Sequence, residues 1–214
     1  MALEFAPSPF NSKAATRFAG KRVLIAGGTG VVGLGLVRYL GFLSREYSVD
    51  FGITVIGTRP ESSTFLSLQN AEVTYLEGDV TNASWLRGLS DFDFVIHAGG
   101  YAQPGIFMAN PHKTLAVNSV SVMALRELAS EAFLFVSSSE VYSGLDIKNL
   151  SETQMGTTTP FHPRAAYIEG KKFGEVASIS SDPHYRVLGS AARLALAYGP
   201  GTYLDDKRVL SELV

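Results

Sequence analysis

The sequence predicts an α/β fold in which helices cover both faces of a doubly wound parallel sheet. Short apolar runs of strand length alternate with longer amphipathic segments from Lys21 onward, and a glycine-rich turn separates the first run from the first helix. Because parallel strands are joined by crossovers that usually contain a helix, this alternation is typical of repeated βαβ units. Ligands bind such sheets beyond the carboxyl ends of the strands, so we expect the functional residues there.

Six apolar runs are predicted as strands. In chain order they are Arg22–Ala26, Ile53–Ile56, Val73–Leu76, Phe92–Ile96, Phe133–Val136 and Ala191–Leu196. Three intervening segments carry apolar residues at helical spacing and are predicted as helices. The first carries Val32, Leu36, Leu40 and Leu43, the second covers Pro111 to Ser130, and the third begins near Ala166 with an apolar stripe of Phe173, Val176 and Ile179.

The composition is that of an ordinary globular protein. Of 214 residues, 46% are hydrophobic, and 18 basic residues nearly balance 20 acidic ones, for a formal net charge of -2. Such a chain can bury one sizeable core, and its charge predicts neither a nucleic-acid nor a membrane partner. We expect residues 21–204 to form one domain and residues 1–20 to be an N-terminal extension or surface arm.

Cysteine is absent from the sequence, which excludes disulfides, thiolate metal sites and cysteine nucleophiles. This composition fits a reducing compartment, and we expect a cytoplasmic protein. The histidines show no metal-ligand spacing, so no metal site is expected; they are His97, His112, His162 and His184.

The glycine-rich segment after the first predicted strand is Gly27-Gly-Thr-Gly30-Val-Val-Gly33. Its glycines allow a tight turn and a close approach of the backbone to a pyrophosphate, while the helix N-terminus offers unpaired N–H groups. Since a strand precedes it and a helix follows, we predict a Rossmann-type dinucleotide-binding domain over residues 21–204. The cofactor-binding candidates in this segment are Gly27, Thr29, Gly30, Val31, Val32 and Gly33.

The ends of the second and third strands bear on which dinucleotide binds. Thr58-Arg59-Pro60 follows the second strand, without the acidic residue that usually binds the ribose 2′-hydroxyl of NAD. Arg59 suits a 2′-phosphate and favours NADP, with an exposed loop arginine as the alternative. Asp79 and Val80 follow the third strand, where the Asp79 carboxylate could accept a hydrogen bond from an adenine amino group or start a turn.

Tyr167 and Lys171 stand one helical turn apart on the third predicted helix. A neighbouring ammonium favours the phenolate, so the tyrosine can exchange a proton with an alcohol near neutral pH. Three serines and a carboxylate, residues 137–140, follow the fifth strand, where they can hydrogen-bond a substrate hydroxyl. An exposed helix pair and a serine-rich turn are the structural alternatives.

Taken together, these motifs resemble the extended short-chain dehydrogenase/reductase family, the NAD-dependent epimerases and dehydratases, whose members act mostly on nucleotide sugars. The resemblance runs from Lys21 to Gly201. Besides the segments above, it rests on His97-Ala98, Asn118, Glu175 and Tyr198-Gly-Pro-Gly201. Within the family, Asn110 to Asn118, Ser138 to Tyr142 and Pro163 to Lys172 are most similar to UDP-glucuronate decarboxylases.

The resemblance implies a role for each matching residue. Tyr167 would be the catalytic base, Lys171 its activator and a ribose ligand, Ser138 a partner of the substrate hydroxyl, and Glu140 an acidic group beside the sugar. Ala98, Gly99 and Asn118 would complete the cofactor site, with a structural hydrogen bond as the alternative for Asn118. The implied chemistry begins with hydride transfer from C4 of the sugar to NAD or NADP, after which decarboxylation, elimination or epimerisation can follow.

The resemblance also sets expectations for the whole chain. Residues 205–214 resemble the start of a substrate-binding region, most of which we expect to be missing. A homodimer through the Pro111 and Tyr167 helices is expected for the family. A non-catalytic dinucleotide-binding or regulatory protein, a fragment, and a simple NADP-dependent carbonyl reductase remain alternatives to a nucleotide-sugar enzyme.

Overall fold

A computed structural model of the protein describes residues 6–58, 73–146 and 149–199. Its described residues form one six-stranded sheet with the strand order β3-β2-β1-β4-β5-β6, and every neighbouring pair is parallel. The strands are β1 (Arg22–Ala26), β2 (Gly52–Gly57), β3 (Val73–Glu77), β4 (Phe92–His97), β5 (Ala129–Ser138) and β6 (Gly189–Leu194). The predicted doubly wound parallel sheet is therefore confirmed.

Helices connect the strands and cover the sheet. They are α1 (Pro9–Arg17), α2 (Val31–Tyr47), α3 (Ala83–Arg87), α4 (Pro104–Ala109), α5 (Pro111–Asn118), α6 (Val120–Glu127) and α7 (Ala165–Ile179), and a 3₁₀ turn covers Ser139–Tyr142. In the three described ranges, no helix has the length and apolar character needed to cross a membrane.

Alternate residues of β1 enter two separate cores, one on each face of the sheet. Val23 and Ile25 pack with the apolar face of α2, while Leu24 and Ala26 pack with side chains of α3, α6 and β5. All four of these β1 side chains are fully buried. Burial of both strand faces explains why this run reads as continuously apolar rather than alternating.

The prediction of one helix from Pro111 to Ser130 is wrong in two respects: the helix is interrupted at Ser119, and it ends at Glu127. Ser119 leaves the helical conformation, with φ -128° and ψ -78°, and separates α5 from α6. The side chains of Asn118 and Ser119 donate to the carbonyl oxygens four residues earlier, at 2.8 and 2.7 Å, so they compete with the backbone ladder. Ser130 belongs to β5, which begins at Ala129 beside Phe92 of β4.

Part of the expected N-terminal extension forms a helix that packs on the domain. Ser8 caps α1, and its backbone N–H donates to the Tyr47 hydroxyl at 2.9 Å. Ala15 is fully buried, and the Phe18 ring contacts Phe51 at a centroid distance of 5.4 Å. Residues 8–18 therefore add to the core that α2 builds on its face of the sheet.

Helix α7 turns its apolar stripe outward. Phe173, Val176 and Ile179 are 47%, 59% and 58% exposed, whereas the buried face carries small and polar residues: Gly170, Lys171, Gly174, Glu175 and Ser178, together with Ile168. A Cβ added at Gly174 would lie 2.4 Å from the Phe135 ring. The missing side chain lets α7 approach β5 closely, so polar groups of α7 can reach the end of that strand.

Candidate active site

Two adjoining cavities lie at the carboxyl ends of the strands, where ligands bind in doubly wound sheets. The glycine-loop cavity, of about 170 Å³, is bounded by the turn after β1 and by the ends of β2 and β3. The catalytic cavity, of about 330 Å³, is bounded by the end of β5 and by α7. Residues 98–101 line both cavities, so the two cavities lie side by side in one cleft.

The turn after β1 needs glycine for conformation and for space. Gly27 has φ +82°, and a Cβ there would lie 2.4 Å from the Cα of Gly99. A Cβ at Gly33 would lie 2.2 Å from the Gly27 carbonyl oxygen, so Gly33 lets α2 begin directly above the turn. Gly27, Thr29 and Gly30 line the glycine-loop cavity, whereas Val32, in the first turn of α2, lines the catalytic cavity.

The N-terminus of α2 has the properties of an anion-binding site. Gly30 is its N-cap and provides no side-chain hydrogen bond to the first turn. The backbone N–H groups of that turn, including those of Val31 and Val32, are therefore not capped by Gly30 next to the cleft. Such N–H groups, with the positive end of the helix dipole, suit the pyrophosphate of a dinucleotide.

Asp79 lies on the opposite wall of the glycine-loop cavity, and its carboxylate is well supplied with partners. One oxygen accepts from the backbone and hydroxyl of Thr81 at 3.0 and 2.8 Å, and the other lies 3.0 Å from Lys113 Nζ. Burial acts to raise the Asp79 pKa, but these hydrogen bonds and the Lys113 ammonium outweigh it and lower the pKa. Asp79 thus starts a turn and also lines the cavity together with Val80.

Lys171 is buried beneath the catalytic cavity. Its ammonium donates to the Val136 carbonyl oxygen at 2.7 Å and lies 5.8 Å from the centre of the Tyr167 ring. Burial lowers the Lys171 pKa to about 7, although the nearby Glu175 carboxylate acts to raise it. The predicted pair requires the protonated form of Lys171, and the Val136 carbonyl and the Glu175 carboxylate both favour that form.

Tyr167 stacks on an aromatic ring that the sequence motifs did not reveal. Phe107 of α4 lies parallel to it, with ring centroids 4.5 Å apart and an interplanar angle of 14°. Both rings line the catalytic cavity. The stack fixes the plane of the phenol, and it places an apolar surface against the group that is predicted to exchange a proton.

Ser138 and Glu140 lie on the opposite wall of the same cavity. Ser138 caps the 3₁₀ turn by accepting from the Glu140 backbone N–H at 3.2 Å. One carboxylate oxygen of Glu140 lies 2.8 Å from Arg164 Nη1, while the other is buried without a hydrogen-bond partner in the described part of the chain. All four predicted catalytic residues, Tyr167, Lys171, Ser138 and Glu140, therefore line one cavity.

Three predicted or considered residues have other positions. Asn118 is buried where α5 meets α7, and neither cavity includes it among its walls; its Nδ2 donates to the Thr114 carbonyl, and its Oδ1 has no partner among the described residues. His97 is fully buried, with Nε2 2.9 Å from both Val117 O and Ser121 Oγ. Arg59 lies outside the described residues.

Several side chains in the cleft and behind it were given no partner by the sequence analysis. Phe107 gave no signal, because the short apolar run Ile106-Phe-Met-Ala109 does not show which of its side chains meets Tyr167. Arg164 and Glu175 stood in the motifs that carry the resemblance, but one sequence does not tell which carboxylate or cation each will meet.

Within the three described ranges, no cluster of three histidines or carboxylates could hold a metal ion.

The sheet, the glycine turn and the cleft define a dinucleotide-binding α/β protein of the Rossmann type. The model of the NAD-dependent epimerase/dehydratase family matches residues 23–214, so the chain belongs to this family. The resemblance drawn from the motifs is confirmed.

Curated relatives and solved structures agree with this assignment. UDP-glucuronic acid decarboxylase 1 of Xenopus tropicalis is 29% identical over 197 residues, 91% of this chain and 45% of the relative. UDP-glucuronic acid decarboxylase 5 of Arabidopsis thaliana is 28% identical over 212 residues, 97% of this chain and 60% of the relative. The chain thus spans about half the length of the curated relatives that it matches.

The solved structures show the same fold. MoeE5, in complex with UDP-glucose and NAD, matches with a TM-score of 0.70 and 22% identity over 90% of this chain and 59% of MoeE5. UDP-glucose 4-epimerase of Thermotoga maritima, with UDP-glucose, matches with a TM-score of 0.70 and 18% identity over 89% of this chain and 61% of the epimerase.

Proposed function

We propose that this chain contains the cofactor-binding and catalytic part of an enzyme that modifies nucleotide sugars through transient oxidation at C4, most like a UDP-glucuronate decarboxylase. The observation that carries the proposal is that Tyr167, Lys171, Ser138 and Glu140 line one cavity, which adjoins the glycine-loop cavity at residues 98–101. Family membership and the decarboxylases among the curated relatives support it.

The residues of the cleft fit a nicotinamide dinucleotide. The first turn of α2 offers N–H groups for the pyrophosphate, and the glycine at 27 lets the turn after β1 lie directly against Gly99, at the wall that both cavities share. A bound nicotinamide supplies reversible two-electron oxidation of the sugar carbinol. The adenosine end is assigned to the glycine-loop cavity beside Asp79, and the nicotinamide end to the catalytic cavity.

NAD is the cofactor that we propose, because the family is described as NAD-dependent and MoeE5 was solved with NAD. Arg59 is the residue that argues for NADP. If Arg59 binds a 2′-phosphate, Arg59→Ala weakens NADP binding and leaves NAD binding unchanged, whereas equal effects on both dinucleotides exclude that role.

Tyr167 accepts the proton of the C4 hydroxyl in the proposed reaction. The Lys171 ammonium, held by the Val136 carbonyl, stabilises the phenolate that must form beforehand. Ser138 hydrogen-bonds the same sugar hydroxyl, and Tyr167 returns the proton when the ketone is reduced. In a uronic acid, the ketone at C4 is β to the carboxylate, so loss of carbon dioxide becomes favourable while Glu140, paired with Arg164, stands beside the sugar.

The proposal is tested by incubating the protein with NAD and a panel of UDP-, dTDP-, CDP- and GDP-sugars that includes UDP-glucuronate, and by following the products by mass spectrometry. Turnover of UDP-glucuronate to a pentose product supports the decarboxylase assignment. Conversion of another sugar without loss of carbon dioxide would indicate an epimerase or dehydratase. If dinucleotide binds but no sugar reacts, the enzymatic proposal for this chain fails.

Tyr167→Phe removes only the hydroxyl that exchanges the proton. We expect turnover to fall by about 10²- to 10⁴-fold, the usual contribution of a positioned acid or base, with little change in NAD affinity because the ring still stacks on Phe107. Tyr185→Phe is the matched control, since Tyr185 packs on Arg126 ahead of β6 and lines neither cavity. Full activity in Tyr167→Phe would remove this tyrosine from the mechanism.

A homodimer through α7 is part of the proposal. The exposed stripe of Phe173, Val176 and Ile179 is apolar in a position where a monomer would present polar residues to water. On the neighbouring helix pair, Leu115 and Val120 are also more than a third exposed, at 40% and 39%. A second copy of this chain would cover both surfaces.

A further inference from the structure

A buried ion pair behind the catalytic cavity joins α7 to β6. Arg193 Nε lies 2.9 and 3.1 Å from the two carboxylate oxygens of Glu175, and Arg193 Nη2 lies 2.7 Å from Oε2. The two side chains are only 13% and 8% exposed. The fork of the guanidinium thus meets the carboxylate along both oxygens, which fixes the direction of both side chains.

The same carboxylate also holds the end of β5. Ser137 Oγ donates to Glu175 Oε1 at 2.5 Å, and the adjacent Val136 carbonyl accepts from Lys171. Lys171 and Glu175 stand one turn apart on the buried face of α7. Two consecutive residues of β5 are therefore bound by two consecutive turns of α7, so the position of Glu175 and the position of the Lys171 ammonium are mechanically linked.

Arg193 extends this connection to the other wall of the catalytic cavity. Its Nη1 donates to the Gln154 carbonyl at 3.0 Å, and its guanidinium lies 4.8 Å from the centre of the Tyr142 ring. Tyr142 ends the 3₁₀ turn that carries Glu140. One ion pair is thus in contact with the elements that supply all four proposed catalytic residues.

Stability alone is a poor reason for such a pair. Two charges removed from water lose hydration free energy that their attraction offsets only in part, and apolar residues of similar volume often do as well. An ion pair that is bound by α7, β6 and β5 instead fixes the positions of its side chains and the charge around them. The groups that face Lys171 on α7 are the Glu175 carboxylate and the Tyr167 ring, and the Arg193 guanidinium of β6 lies behind Glu175. The imidazole of His97 on β4 is neutral, because burial lowers its pKa to about 4.

We propose that Glu175, held by Arg193 and Ser137, is a positioning residue that places the Lys171 ammonium and sets the charge balance in which Tyr167 works. The inference rests on the function proposed above for Tyr167 and Lys171. Glu175 contributes a negative charge that stabilises the ammonium, and Arg193 limits that contribution by neutralising the carboxylate. Neither residue needs to touch the substrate.

A double-mutant cycle that removes one charge or both tests the proposal. Its members are Glu175→Gln, Arg193→Gln and the double variant, and it is called the charge cycle below. The readout is the pKa of Lys171, measured by NMR of lysine labelled with ¹³C at Cε and assigned with Lys171→Met. We expect Glu175→Gln to lower the Lys171 pKa and Arg193→Gln to raise it, each by about one unit, the lower end of the usual effect of a neighbouring charge. The double variant removes both charges and should return the pKa to within about half a unit of the wild-type value.

Opposite shifts of the Lys171 pKa in the two single variants distinguish positioning through charge from a packing role. Damage to packing would instead shift the Lys171 pKa in the same direction in both variants. Shifts of the same sign, or no shift, would overturn the proposal. If a single variant fails to fold, the double variant carries the test: it leaves no buried charge unpaired, and a Lys171 pKa more than one unit from wild type would overturn the proposal. Glu169→Gln, on the exposed side of α7, is the matched control and should leave Lys171 unchanged.

This readout does not depend on turnover. If no sugar reacts but the cycle gives opposite shifts, the proposed function fails and the positioning of Lys171 stands. If sugars react but the cycle gives no shifts, the function stands and Glu175 has only a packing role. Where turnover is measurable, the pH profile of kcat should move in the same direction as the Lys171 pKa in each variant.

Discussion

His97 illustrates, at the residue scale, what can and cannot be told from the sequence. Its place at the end of a strand was compatible with a ligand contact or with a structural hydrogen bond. The structure shows the second: Nε2 contacts Val117 O and Ser121 Oγ, and Nδ1 accepts from the Gly99 N–H at 3.3 Å. The partners of His97 come from positions 20 and 24 residues away, so only the folded chain brings them together.

His97 should make the protein sensitive to mild acid. Burial lowers its pKa from 6.5 to about 4, so the unfolded chain binds a proton at pH 5 that the folded chain does not. The free energy of unfolding should therefore fall as the pH decreases from 6.5 to 4, by about 3 kcal/mol in total from this residue. Above pH 6.5 the contribution is constant.

Urea unfolding at pH 7 and at pH 4.5 measures this effect. His97→Gln should show a much smaller difference between the two pH values than wild type does. His184→Gln is the control, since His184 is exposed and pairs with Asp182 at the surface. An unchanged pH dependence in His97→Gln would show that other groups control acid unfolding.

At the scale of elements, the sequence predicts which strands are present far better than it predicts what the helices contact. All six predicted strands are present, and β1 has the predicted bounds. The kink at Ser119 was missed because it depends on side chains that bond backward to the helix carbonyls, as Asn118 and Ser119 do. The outward direction of the α7 stripe could not be predicted, since periodicity shows that a helix has two faces but not which of them meets the sheet.

Arg126 gives a prediction at the scale of elements. This arginine of α6 is 1% exposed, and it donates to the carbonyls of Ala177 and Val187. It thereby joins the end of α7 to the segment that enters β6. Arg126→Met removes these donors and leaves two carbonyls unpaired, so we expect a loss of about 2 to 4 kcal/mol in the free energy of unfolding.

Chemical denaturation compares Arg126→Met with Arg87→Met, whose guanidinium makes an exposed ion pair with Glu127. The control should cost less than about 1 kcal/mol, as exposed pairs usually do. A loss in Arg126→Met no larger than in this control would mean that water replaces the arginine at both carbonyls.

At the scale of the whole molecule, the sheet order brings the candidate motifs that lie at strand ends to one edge of the sheet. The glycine turn follows β1, Asp79 follows β3, and the serines with Glu140 lie at the end of β5, so parallel strands alone place them in one cleft. This part of the site followed from the sequence. The pairing of Glu140 with Arg164 and the stack of Phe107 on Tyr167 did not, because they join separate loops and helices.

The outward stripe of α7 gives a prediction for assembly. Val176→Glu places a charge in the middle of the exposed apolar surface, and we expect it to convert a dimer to a monomer in analytical ultracentrifugation. Lys13→Gln, at an exposed position of α1, serves as the control and should leave the sedimentation coefficient unchanged. A wild-type protein that sediments as a monomer at all concentrations would contradict the proposed dimer.

The most direct test of the account is a titration of the ¹⁵N-labelled protein with NAD, followed through its backbone amide resonances. We expect saturable shifts of the amides in the first turn of α2, Val31, Val32 and Gly33, and of Gly99 between the two cavities, whereas the amides of α6 should not move. NADP in a parallel titration ranks the two dinucleotides. Absence of shifts with either dinucleotide at millimolar concentration, or shifts confined to residues outside the cleft, would contradict the assignment of this cleft as the cofactor site.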